Sequence, residues 1–114
     1  MKNVLVIGST GQIGSELTGE LRKRYGNSNV VAGYIQGAEP TGELKEAGPC
    51  AIADVTNADV IAEVVRKYNI DTIYNLAALL SVVAESKPRL AWKIGIDGLW
   101  NILEVAREND CAVF

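Results

Sequence analysis

Val4-Leu5-Val6-Ile7 runs without a break into Gly8-Ser9-Thr10-Gly11-Gln12-Ile13-Gly14, and no other stretch limits the fold so tightly. Four apolar, mostly β-branched residues read as a buried strand, and three glycines at three-residue intervals follow at once. Ile13, Leu17 and Leu21 then recur at helical spacing, so the glycines sit in a turn from strand to helix. Each glycine has a separate reason to be there. Gly8 permits backbone angles closed to other residues, Gly11 lets a pyrophosphate approach the main chain without meeting a Cβ, and Gly14 lets the helix pack close to the strand. The free amides and the positive end of the helix dipole face the anion. An ordinary glycine-rich connection in another parallel-sheet fold is the competing reading.

Strand and helix patterns alternate from there on. A helix from Gln12 to Tyr25 is expected to bury Ile13, Leu17 and Leu21 and to show Glu16, Glu20, Arg22 and Lys23 to water. Gly26-Asn27-Ser28-Asn29 ends it, and Val30 to Ile35 form a second strand. Gln36 to Pro49, with three glycines and two prolines, is a loop with one short helical turn near Glu43 to Ala47. Cys50 to Ala53 make a third strand, Asn57 caps a helix with Val60, Ile61, Val64, Val65 and Tyr68 inward, and Asp71 to Leu76 make a fourth strand. Small residues follow it, and the carboxyl edge of a parallel sheet is where open α/β folds bind ligands. Pro88 opens a long helix to about Asn109, and Cys111 to Phe114 begin a fifth strand. Trp92, Ile96, Leu99, Trp100, Leu103 and Ala106 give that helix more apolar girth than one sheet-facing stripe needs. Contact with a second subunit and burial within a complete domain both fit. The expected fold class is α/β: one Rossmann-type domain over residues 1–114, a three-layer α/β/α parallel sheet of order 3-2-1-4 with a stub of strand 5.

Composition narrows the function classes. A net charge of -3 with scattered Lys and Arg carries no nucleic-acid footprint, and no segment approaches the roughly 18 apolar residues of a membrane span. The first residues read as a strand rather than a cleavable leader. The chain has no histidine, which removes His-based triads and the usual zinc sites. Cys50 and Cys111 read as buried, reduced thiols of a cytoplasmic protein.

Gly8-x-x-Gly11-x-x-Gly14, Asp54-Val55, Asn75-Leu76-Ala77-Ala78 and the helix Ala91 to Ala106 together resemble the extended short-chain dehydrogenase/reductase family, in its NAD-dependent epimerase/dehydratase branch. Within that branch, Gly11-Gln12-Ile13-Gly14-Ser15-Glu16-Leu17, Ile70 to Tyr74, Leu76 to Ser81 and Leu99-Trp100-Asn101 are most similar to the short-chain L-threonine 3-dehydrogenase subfamily. The likeness runs over essentially the whole chain and covers the N-terminal third or so of a family member. It implies NAD as cofactor. Gly8, Gly11 and Gly14, with the Gln12 and Ile13 amides, would hold the pyrophosphate. Asp54 and Val55 would flank the adenine, the carboxylate accepting from its amino group. Leu76, Ala77 and Ala78 would line the nicotinamide ribose, and Ser81 would contact substrate, with local backbone capping as its plainer role.

The chain departs from the family pattern at two positions. An acid is expected about 20 residues past the glycines to bind the ribose hydroxyls, and Tyr34 stands there, followed by Ile35 and Gln36. The first acid beyond is Glu39, and no Arg stands nearby for a 2′-phosphate, which favours NAD over NADP. Gly95 replaces an asparagine that in the family orders a water near the catalytic lysine. The family's Tyr-x-x-x-Lys pair is also missing. Four residues after Tyr25, Tyr34, Tyr68 and Tyr74 come Asn29, Ala38, Thr72 and Ala78, so no residue here is a candidate catalytic acid or base.

The resemblance therefore implies the NAD-binding part of an oxidoreductase acting on L-threonine, inactive by itself. A sugar-nucleotide epimerase or dehydratase, or a non-catalytic dinucleotide-binding or dimerising module, are the alternatives. A sheet stopping at strand 5 is expected to leave the edge of strand 4 and the last helix's apolar face uncovered, and so to self-associate.

Overall fold

The computed structural model describes residues 3–77 and 87–114. Five parallel strands, β1 (Val4–Ile7), β2 (Val30–Tyr34), β3 (Cys50–Ile52), β4 (Thr72–Asn75) and β5 (Ala112–Val113), lie in the order β3-β2-β1-β4-β5. The helices are α1 (Gln12–Tyr25), α2 (Gly42–Glu46), α3 (Ala58–Lys67) and α4 (Pro88–Glu108), with a 3-10 turn at Asn27–Asn29. This is the Rossmann-type α/β sheet expected from the alternation of elements.

Both faces of the sheet are covered, which is why β1 is an unbroken apolar run rather than an alternating one. Leu5, Ile7, Val31 and Ile73 pack on one side with Ile61 and Val65 of α3 and Ile102 and Val105 of α4. Val4, Val6 and Val30 pack on the other with Leu21 of α1. Asn57 caps α3, its side chain accepting from the Val60 amide at 3.3 Å, and Pro88 stands in the first turn of α4. β1 pairs with β2 through Ile7↔Gly33 and with β4 through Ile7↔Asn75. The chain leaves β1 toward β2 and β3 on one side and later toward β4 and β5 on the other. β1 is thus the point where the winding reverses, where open α/β sheets place their ligands.

Three expectations need correction. Ile13 is 73% exposed, and Arg22 is 3% exposed. The buried stripe of α1 is Gly14, Thr18, Leu21 and Arg22, while Leu17 is half-buried. Ile13-Leu17-Leu21 and Gly14-Thr18-Leu21 both have helical spacing, and although the first is the more apolar, the close approach of Gly14 to the turn sets the second inward. Arg22 tolerates burial because its guanidinium donates to three carbonyls: Nε to Val30 at 3.2 Å, Nη1 to Leu44 at 2.7 Å and Nη2 to Pro49 at 2.8 Å. Finally, β4 is not left as an open edge. β5 pairs with it through Thr72↔Ala112 and Ile73↔Val113, and Phe114 stacks on Tyr74 with ring centroids 5.3 Å apart.

Cys50 and Cys111 are free and half-buried rather than fully buried. Burial first, then the neighbouring Asp71 and Asp110 carboxylates, pushes the Cys111 thiol above its ordinary range. Among the described residues, no helix is long and apolar enough to cross a membrane.

Candidate functional site

The turn from β1 to α1 explains two of its three glycines by itself and leaves the third open. Gly8 has φ +80°, and a Cβ there would stand 2.5 Å from the Leu76 carbonyl oxygen. A Cβ on Gly14 would collide with the Gly8 carbonyl. These two are required by the fold. Gly11 has an ordinary φ of -71°, and the nearest atom to a Cβ there is the Gly8 oxygen at 3.5 Å. Neither conformation nor crowding among the described residues demands glycine at residue 11. A ligand lying against the main chain would.

The amides point the same way. The first helical hydrogen bond of α1 runs from the Ser15 amide to the Gly11 carbonyl at 2.9 Å. The Gln12, Ile13 and Gly14 amides precede it, as helix-initial donors do. Gly11, the capping residue, has no side chain to satisfy them, and the first turn carries no acid. The positive end of the helix dipole is therefore uncompensated, flanked by exposed Gly11, Gln12 and Ile13. The turn is held rigid from below: the Ser9 amide and hydroxyl both donate to the Gly33 carbonyl, at 3.0 and 2.8 Å. The Thr18 hydroxyl donates to the Gly14 carbonyl at 2.6 Å. An electropositive, exposed helix start braced in this way fits a pyrophosphate.

The remaining expected site residues lie along the same carboxyl edge of the sheet. Asp54 follows β3, and its Oδ1 accepts from the Thr56 amide at 2.9 Å and the Thr56 hydroxyl at 2.7 Å, a closed local turn. Val55 is pinned from the far side by α4. Its carbonyl accepts from Asn101 Nδ2 at 2.8 Å, and its side chain occupies the space a Cβ on Gly98 would need. Leu76 is half-buried, with its amide donating to the Ile7 carbonyl at 2.9 Å, and Ala77 beside it is exposed. Gly8, Gly11, Gln12, Ile13, Gly14, Asp54, Val55, Leu76 and Ala77 thus share one edge, contributed by the ends of β1, β3 and β4. Ala78 and Ser81 lie outside the described residues. Gly95 is exposed on α4.

Ser9, Gly98 and Asn101 escaped the sequence reading as parts of this edge. Ser9 looked like one more turn residue, and the Gly98/Asn101 clamp on Val55 joins positions more than 40 residues apart, which no local pattern reports. A separate concavity of about 380 Å³ between β3 and α3, bordered by Tyr34, Cys50, Ile52 and Lys67 among others, includes none of the turn residues.

Known proteins share this arrangement. An L-threonine dehydrogenase from Clostridium difficile superposes with a TM-score of 0.90 at 47% identity, over 100% of this chain and 35% of that one. A GalE-like L-threonine dehydrogenase from Cupriavidus necator, in its holo form, gives 0.87 at 36% identity, over 98% and 35%. An uncharacterized epimerase/dehydratase of Staphylococcus epidermidis is 45% identical over the whole chain and 36% of the relative. The chain therefore spans about a third of the length of the relatives it matches. Residues 4–114 match the model of the NAD dependent epimerase/dehydratase family, and the chain belongs to that family.

Proposed function

We propose that these residues form the NAD-binding portion of an oxidoreductase that converts L-threonine to 2-amino-3-oxobutyrate. The observation that carries the cofactor half is the unfilled space at Gly11 beside an uncapped helix terminus. The glycine turn binds the pyrophosphate through its amides, Asp54 and Val55 hold the adenine, and Leu76, Ala77 and Ala78 line the nicotinamide ribose. Bound NAD supplies the hydride acceptor, while these residues supply orientation. Ser81 is the proposed substrate contact, and the reduced thiols fit a cytoplasmic location. The two L-threonine dehydrogenases support the substrate assignment. A sugar-nucleotide epimerase or dehydratase is the second reading, supported by the description of the staphylococcal relative.

Calorimetric titration of the chain with NAD is expected to give a dissociation constant below about 1 mM, a free energy of roughly 4 kcal/mol or more. Absence of heat at every concentration would remove the cofactor assignment. Addition of L-threonine is expected to produce no NADH absorbance, because no Tyr-x-x-x-Lys occurs in these 114 residues. Turnover by the chain alone would refute that division of labour. Enhancement of NAD binding by L-threonine favours the first reading, and enhancement by a nucleotide sugar favours the second.

The apolar stripe on α4 extends the proposal to assembly. Trp92 and Trp100 are 73% and 64% exposed, and Ile96, Leu99 and Leu103, which recur with them at helical spacing, are exposed too, while Ile102, Val105 and Ala106 are buried. We assign this face to a second copy of the chain, because burying two tryptophans from each side gives an aromatic centre of the kind that dominates interfaces. The double variant Trp92→Glu, Trp100→Glu is expected to sediment as a monomer with little change in melting temperature, against a dimer for the parent. A monomeric parent would end this assignment.

A further inference from the structure

We infer that Glu39 is the residue that selects the adenosine ribose, taking the place of the acid that Tyr34 displaces at the end of β2. The inference rests on the dinucleotide reading of the glycine turn and goes one residue further.

An NAD site of this architecture needs a carboxylate near the end of the second strand, to accept from the ribose hydroxyls and to repel a 2′-phosphate. Tyr34 offers no carboxylate and is half-buried, and its carbonyl is already occupied by the Ala53 amide at 2.8 Å. Nor is the site built for a phosphate. No Lys or Arg occurs from Val30 to Leu44, and the Arg22 guanidinium is buried and engaged with three carbonyls. On charge alone the strand end would discriminate poorly between the two dinucleotides.

The turn after β2 keeps Glu39 near that point. The end of β2 is tied to the glycine turn by the two hydrogen bonds from Ser9 to Gly33. Beyond Tyr34 the chain folds on itself: the Ala38 amide donates to the Ile35 carbonyl at 3.0 Å, and Gly37 takes φ +93°, a turn that favours glycine. Glu39 follows Ala38 directly, so the turn that returns Ala38 to the Ile35 carbonyl holds Glu39 near the strand end rather than carrying it away. Its carboxylate is also fixed. The Gly37 amide donates to Oε1 at 2.7 Å and to Oε2 at 3.1 Å, while the side chain remains exposed. A carboxylate has about four acceptor positions, so one amide leaves enough for the two hydroxyls of a ribose. Holding it in place beforehand lowers the ordering cost of binding.

The test is calorimetric titration of the full chain with NAD and with NADP. The parent chain is expected to favour NAD by about tenfold or more, the scale of one charge-assisted hydrogen-bond pair. Glu39→Gln is expected to weaken NAD about tenfold and bring the two dinucleotides level, with an unchanged melting temperature because the side chain is exposed. Adding Tyr34→Asp to Glu39→Gln is expected to restore the preference, whereas Tyr34→Phe in the parent changes neither affinity. NAD binding that persists while Glu39→Gln leaves the ratio unmoved overturns the role of Glu39 and keeps the cradle. A loss of NAD binding in Tyr34→Phe equal to that in Glu39→Gln moves the role to the phenol and likewise overturns it. A parent chain that binds neither dinucleotide overturns the cradle and this inference together.

Discussion

Gly11→Val is expected to weaken NAD binding by about a hundredfold or more while the chain stays folded. The capping residue has φ -71° and ψ 169°, angles open to valine, and among the described residues nothing lies closer than 3.5 Å to the new Cβ. The folding penalty is therefore confined to replacing a good helix-capping residue by a poor one, on the order of 1 kcal/mol. The binding penalty is larger, because the branched side chain fills the volume a pyrophosphate needs and separates it from the Gln12 and Ile13 amides; about 2.8 kcal/mol corresponds to a hundredfold. The neighbouring glycines should behave differently. Gly8→Ala places a Cβ at φ +80° against the Leu76 carbonyl, and Gly14→Ala drives one into the Gly8 carbonyl. Both should lower the melting temperature sharply and lose binding only because the turn is lost. Titration and thermal melting of the three variants separate the cases. If Gly11→Val bound NAD like the parent, the open position would have no ligand behind it.

Arg22→Ala should be strongly destabilising, by about 2 kcal/mol or more. Its guanidinium joins α1 to the start of β2, to α2 and to the residue before β3, and removing it takes the Arg22 donor from the buried Val30 carbonyl and from the partly buried carbonyls of Leu44 and Pro49, the last of which keeps the Ala32 amide at 2.9 Å. Each unsatisfied buried carbonyl costs about 1–3 kcal/mol, partly relieved if water enters. For a domain of this size the shift in melting temperature is on the order of 10 °C or more. Arg22→Lys should recover little, since one ammonium cannot present the planar fork that reaches three separate carbonyls. A melting temperature within a degree or two of the parent for Arg22→Ala would show that the three carbonyls are satisfied without it. The same staple anchors the far end of the segment that carries Glu39, so Arg22→Ala should also blunt discrimination between NAD and NADP.

What the amino-acid order alone determined is whatever depends on neighbours along the chain. The alternation of apolar strands with amphipathic helices calls for a parallel sheet with right-handed crossovers, and the glycine turn after the first strand points to the dinucleotide-fold order, which the sheet shows as 3-2-1-4-5. Asn57 and Pro88 mark helix starts because capping chemistry is local, and the three glycines mark the strand-to-helix turn for the same reason. What only the tertiary structure decided is which of two helically spaced stripes on α1 faces inward, and so why Ile13 is exposed and Arg22 buried. The periodicity is satisfied by either stripe, and the contact of Gly14 with the turn selects one. Likewise, the grip of Gly98 and Asn101 on Val55 joins residues that local propensity treats as unrelated. Their energies exist only once the chain has closed on itself.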